Sequence, residues 1–346
     1  MEFVNQFFVR HSRRLQLVVY AAACLLSVQL AAQPMPVRQI KFAIQGVEGS
    51  PQFDAALHFA QTVNTLSVGQ LEVQVFGGGR LGSDLGVISA VRGGTIDITV
   101  LNTGLLGGVV RQMGVLDLPL VFANETEAAA VVDGPFGQKL HRLLEAKGMI
   151  GLTYWGIGMR HFHTGKKPLT RVDDLKGMKI RVTESPVYLD FIKALGAVPV
   201  PLAFSEVYGA LEQTAVDGGT QQLVTMVSSK LYEVQRHIWL TGHVANPQSI
   251  IFSKKTWSTL SESHKDALLN AAEKSREYAR RMETKRLFES EQFLKDQGMQ
   301  FVQITEDERN RLRGRADQVI KKHSSLIGES WVQEMMEAID HARTDK

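Results

Sequence analysis

The chain has 346 residues, 44% of them hydrophobic, with 39 basic side chains against 36 acidic ones and a single cysteine, Cys24. So even a charge balance gives no electrostatic footprint for nucleic acid or an anionic membrane, and one cysteine excludes a disulfide framework. The length suits two domains of ordinary size, each with its own core.

The first predicted element is an export signal. Arg10, His11, Arg13 and Arg14 form a basic head, residues 15–30 are mostly apolar, and Leu30, Ala31 and Ala32 precede Gln33, so a signal peptide over 1–32 is expected, cleaved after Ala32. The apolar run falls short of the roughly 20 residues a membrane span needs and meets Pro34 and Pro36, which argues against an uncleaved anchor. Ala21 to Cys24 makes only a weak lipoprotein-like site. Losing Glu2, Arg10, Arg13 and Arg14 leaves 36 basic and 35 acidic residues, a net charge near +1.

After the signal, strand and helix patterns alternate. Strands are expected at 40–44, 71–76 and 96–101. A helix opens at Ser50-Pro51 with Phe53, Ala56, Leu57, Ala60 and Val63 on its apolar face, and Ser83 caps another that runs to Arg92. Residues 116–122 read as extended, Asn124 caps a helix interrupted near Gly134-Pro135, and 149–155 returns as a strand. This is α/β around a mainly parallel sheet. The pattern starts again near Gly158, with strands at 160–164, 179–182, 238–242 and 249–252 and helices at 186–195 and 204–213. The last hundred residues are helical and highly charged. Residues 261–295 make one helix of about 50 Å, longer than either lobe, and its apolar positions do not hold the heptad of a coiled coil.

Three chemical motifs are weighed and set aside. Gly77, Gly79 and Gly82 fit a dinucleotide loop, but they follow the second strand and the acidic candidate Asp97 comes too early. A flexible strand-to-helix turn is the better reading. His161 and His163 would share a strand face as a metal pair, yet no cysteine or acidic cluster completes the set. No Gly-x-Ser-x-Gly elbow occurs, so nucleophilic catalysis has no support. No metal or cofactor is expected.

Binding chemistry is better represented. Arg181 ends a short strand, and a guanidinium fork takes both oxygens of a carboxylate without ever giving up its charge. Arg160 lies at the crossing from the first lobe to the second, where Gly156 and Gly158 would let the backbone bend. Glu184, Tyr188 and Phe204 are grouped around these two, with Ser205 and Glu206 placed to cap the helix after Phe204.

The segment Asp174-Leu-Lys-Gly-Met-Lys-Ile-Arg181, followed by Leu195-Gly-Ala197, Phe204-Ser-Glu-Val-Tyr208 and Val216-Asp-Gly218, resembles the DctP-like solute-binding component of tripartite ATP-independent periplasmic (TRAP) transporters. The likeness covers about residues 40–340. It implies a two-lobed, Venus-flytrap periplasmic binding protein fold with a long helix spanning both lobes. Lobe I would take 33–157 and about 247–290, and lobe II 158–246 and about 291–346. It also implies a monomer that catches a small organic carboxylate and hands it to membrane subunits. Arg181 matches the family's principal carboxylate partner, Arg160 a second arginine and Phe204 an aromatic contact. Gln221 falls where the family usually has an asparagine, one methylene shorter with the same donor and acceptor. Thr220 and Gln222 replace the usual acid and proline, so the ligand cannot be copied from a familiar member.

Overall fold

The computed structural model describes residues 36–344; the expected signal peptide, its expected cleavage site and Cys24 lie outside them. Nine strands form one mixed sheet: β1 Arg38–Ile44, β2 Leu71–Phe76, β3 Ile98–Asn102, β4 Met149–Thr164, β5 Lys179–Val182, β6 Val198–Pro201, β7 Gly218–Gln221, β8 His237–Ser253 and β9 Gln300–Gln303. Their order is β2-β1-β3-β8-β4-β7-β5-β6, with β9 also on β8. The helices are α1 Pro51–Leu66, α2 Asp84–Gly93, α3 Glu125–Asp133, α4 Pro135–Leu144, α5 Pro186–Ala194, α6 Val207–Glu212, α7 Leu223–Ser228, α8 Lys254–Trp257, α9 Glu262–Asp296, α10 Glu306–Ile327 and α11 Glu329–Thr344.

The architecture is the two-lobed fold, but the sheet corrects the expected pairing. The short strands expected at 149–155 and 160–164 are one strand of 16 residues, and those expected at 238–242 and 249–252 are one of 17. These two run antiparallel from Met149 opposite Ser253 to Thr164 opposite His237. One end of β8 pairs with β3 and the far end of β4 pairs with β7, both antiparallel. The parallel pairs include β1 with β3, β5 with β6 and β7, and β8 with β9. Two strands shared by both lobes explain why Gln39–Lys346 forms a single compact unit.

Local chemistry sets the element ends. Ser50 Oγ accepts from the Phe53 N–H and Pro51 opens α1, while Ser83 and Asn124 cap α2 and α3 through their own side chains. In α1 the buried face is Ala55, Ala56, Phe59 and Val63, and Leu57 is 49% exposed, so the face is rotated from the expected one. The stretch expected to be extended at 116–122 begins inside a 3₁₀ turn, Arg111–Asp117. No Ser205 cap forms; instead Glu206 Oε2 accepts from the Ala203 N–H at 3.1 Å. Gly78, Gly79 and Gly82 all have positive φ, which accounts for the glycine-rich turn without a nucleotide.

The 35-residue α9 packs at both ends of the molecule. Leu268 and Ala272 join the core of Phe42, Phe59, Trp155 and Phe252, whereas Leu294 joins a separate core with Leu211, Leu223, Met226 and Ile238. Between them, Ser275 Oγ accepts from the Trp155 indole N–H at 3.0 Å, which fixes the helix to the crossing strand.

Candidate functional site

Arg160 of β4 and Arg181 of β5, whose strands flank β7, both line a cleft of about 120 Å³. Arg181 is the third residue of β5 and sits between β6 and β7 in the sheet, opposite Val200 and Gly219. Its Nε and Nη2 both donate to the Leu202 carbonyl, at 3.2 and 2.6 Å. The third nitrogen, Nη1, is buried, has no hydrogen-bond partner and belongs to a residue that lines the cleft.

Arg160 stands beside it, held by donors to the Thr220 hydroxyl at 3.1 Å, the Thr220 carbonyl, and Asn246 Oδ1 at 3.3 Å. Both arginines are 2% exposed. Among the described residues, neither has a carboxylate within ion-pair distance. Burial and then the neighbouring charge of Arg160 push Arg181 down to about 9, against the pull of Asp84, Glu184 and Glu206. The guanidinium therefore stays charged at neutral pH in a place that disfavours charge. That is an electrostatic demand for an anion.

The structure brings Arg160, Arg181, Phe204 and Gln221 to one cleft. Gln221 is 4% exposed and, among the described residues, its amide has no hydrogen-bond partner. Glu184 and Tyr188 are not among the lining side chains. Glu184 acts on Arg181 and Asp84 through its charge alone. Tyr188 lies behind Arg160, its ring 5.6 Å from the guanidinium carbon, where it supports the arginine. His161 and His163 are held separately, the first accepting from the Gly242 N–H at 3.0 Å and the second 2.8 Å from Gln235 Oε1.

Gly156 and Gly158 provide room rather than a left-handed bend. Neither has positive φ; a Cβ at Gly156 would stand 2.2 Å from Glu283 Oε2, and one at Gly158 would stand 2.6 Å from Gln222 Nε2. A register shift between Tyr154 and Ile157 still marks the strand as irregular there.

Several lining residues escape the sequence reading. Thr183, two positions beyond Arg181, has a buried hydroxyl without a partner, and strand alternation from Arg181 would have pointed to it. Asn246 and Gln248 lie on β8, and Asn102 ends β3. Asp84 faces the cleft from the start of α2. Burial pushes its carboxyl up to about 6, with Arg181 opposing and Glu184 adding to the rise. Glu283 enters from α9, with no local sequence signal.

The family model for bacterial extracellular solute-binding proteins, family 7 (DctP), matches residues 42–325. The chain belongs to this family. Among similar proteins, the 2,3-diketo-L-gulonate-binding periplasmic protein YiaO of Escherichia coli is 30% identical over 269 residues, 78% of this chain and 82% of the relative. The sugar acid binding protein DctPAm of Advenella mimigardefordensis, solved with galactonate, is 34% identical with a TM-score of 0.87, and the match covers 89% of this chain and all of that one. A TRAP periplasmic solute binding protein from Ochrobactrum anthropi, solved with its C-terminus in the ligand-binding pocket, is 36% identical with a TM-score of 0.80 over 90% of this chain and 98% of that one. This DctP-family protein is thus a TRAP-type transport component and not an enzyme. The family is periplasmic, and no helix among the described residues is long and apolar enough to cross a membrane.

Proposed function

We propose that this DctP-family protein captures a small organic carboxylate between its lobes, with Arg181 as the principal anchor, and delivers it as a monomer to TRAP membrane subunits. The observation that carries this reading is the buried, unpartnered Nη1 of Arg181, a residue that lines the cleft. A carboxylate there would complete the fork, and Arg160 would add a second positive charge. The ligands named for YiaO and DctPAm are both carboxylates, in keeping with the proposal. The same reading places the lobe boundaries at 157/158 and 246/247. Ile157 pairs with Pro247 and Gly158 with Asn246, so both crossings fall at one level of the sheet.

The test is calorimetric titration of wild type and Arg181→Ala with an acid found by thermal-shift screening. Removing one member of a buried charge pair costs on the order of 3 to 5 kcal/mol, a loss of a hundredfold or more. Unchanged affinity in a folded Arg181→Ala protein refutes the proposal.

A further inference from the structure

Where β4 crosses between the lobes, its backbone is held from outside the sheet. Register shifts lie on both sides, between Tyr154 and Ile157 and between Arg160 and Phe162. Opposite Ile157 stands Pro247, which has no N–H for a ladder bond. Three successive residues there give backbone groups to side chains of other elements. The Ile157 N–H donates to Glu283 Oε2 of α9 at 2.9 Å, the Gly158 carbonyl accepts from Gln222 Nε2 at 3.1 Å, and the Met159 N–H donates to Glu125 Oε1 of α3 at 3.3 Å.

The part of α9 that carries Glu283 is itself fixed. Three residues earlier, Arg280 Nη2 donates to the Tyr154 carbonyl at 3.2 Å and to Asp133 Oδ1 at 2.7 Å. Three residues later, Arg286 Nη2 donates to Asp54 Oδ2 of α1 at 2.5 Å. Glu283 has no cation within ion-pair distance among the described residues. Burial pushes its carboxyl up to about 7, with the Ile157 N–H and Arg280 opposing and Glu125 adding to the rise. Neutral or charged, a carboxyl keeps an oxygen that accepts an N–H, so the bond to Ile157 survives either state.

We infer that Glu283 is the positioning residue of this crossing: it braces the Ile157 amide against α9 and so limits how far the two lobes swing. A crossing bonded throughout within the sheet would resist bending with its whole ladder, and one with no bonds would leave the cleft without a set opening. Bonds to single side chains fall between these limits. The inference rests on 157/158 and 246/247 as the crossings, and not on Arg181 as the anchor.

The test needs no solute. Wild type, Glu283→Gln and Glu283→Ala are compared by residue-resolved hydrogen exchange, and by pulsed electron resonance between spin labels at Gln61→Cys on α1 and Gln213→Cys just after α6, both exposed positions, in a Cys24→Ser background. Because Glu283 lines the cleft, its removal opens the Ile157 amide to water. Glu283→Ala speeds exchange at Ile157 about tenfold or more and broadens the spread of distances, while residues 162–164 of β4 keep their rates. Glu283→Gln, which keeps an acceptor of the same length, stays near wild type in both. An unchanged Ile157 rate in Glu283→Ala overturns the inference, as does a glutamine variant as disturbed as the alanine one. Uniform acceleration along β4 also overturns it, since Glu283 then supports the fold alone. Faster exchange at Ile157 with an unbroadened distance distribution overturns it too and removes the crossing as the hinge; the carboxylate anchor is then still decided by the Arg181→Ala titration. Should Glu283→Ala not fold, Gly156→Ala attacks the same bond by placing a Cβ against Glu283 Oε2. It gives the same two changes, and wild-type values in it overturn the inference.

Discussion

Asp117 is fully buried, and its replacement by asparagine gives a stability change whose sign and size follow from its surroundings. Oδ2 accepts from Ser185 Oγ at 2.6 Å, while Oδ1 has no partner. Arg160 and Tyr188 are close, although no hydrogen bond of good geometry joins Tyr188 to the carboxyl. Burial raises the carboxyl from 3.8 to about 7, against the opposing effects of Ser185, Arg160 and Tyr188. The folded-state value lies above the unfolded one, so the folded chain holds this proton longer. The stabilisation is complete below about pH 3.8 and is lost as pH rises through about 7. A rise of about three units at 1.36 kcal/mol each makes the loss about 4 kcal/mol. Asp117→Asn keeps the shape and removes the titration. Relative to wild type, the variant should gain up to about 4 kcal/mol between pH 4 and 7.5, read from chemical denaturation of ligand-free protein at constant ionic strength. Parallel curves over that range refute the reasoning and mean that Asp117 stays charged throughout.

Three more outcomes are expected. A Cβ on Gly104 would lie 1.5 Å from Asp117 Oδ2, so Gly104→Ala should cost about 3 kcal/mol or more in denaturation; a loss under about 1 kcal/mol contradicts the packing. Gln221→Ala breaks no internal hydrogen bond and should leave the melting temperature nearly unchanged while weakening ligand binding about tenfold; equal affinity removes Gln221 from the site. Burial holds His141 down to about 3, stacked on Tyr154 with ring centroids 3.9 Å apart and Nε2 3.1 Å from Ser249 Oγ. Its folded value lies below the unfolded 6.5, so its contribution is present above 6.5 and lost as pH falls toward 3, about 3 kcal/mol by pH 4. His141→Gln should therefore unfold less steeply in acid.

Periodicity and caps made much of the fold legible. The strands at 71–76 and 179–182 appear with the expected bounds, and Ser261 starts the long helix, which ends at Asp296. The continuity of β4 and β8 was hidden because glycines interrupt the apolar pattern, Gly156 and Gly158 where Glu283 and Gln222 need room and Gly242 where φ is positive. Pairing direction was hidden as well, since alternation along a strand does not encode its neighbour. In the cleft, Arg160, Arg181, Phe204 and Gln221 were readable because motif spacing places them. Glu283 was not, because a glutamate in a charged helix carries no mark of what it faces.

The pair of hydrogen bonds that Arg181 donates to the Leu202 carbonyl has an entropic consequence. A free arginine side chain carries about 2 kcal/mol of rotamer entropy that a binding event would have to remove. Here folding has already removed it, because two of the three guanidinium nitrogens are fixed. In the proposed role the arginine is preorganised, so more of the interaction energy would remain for affinity.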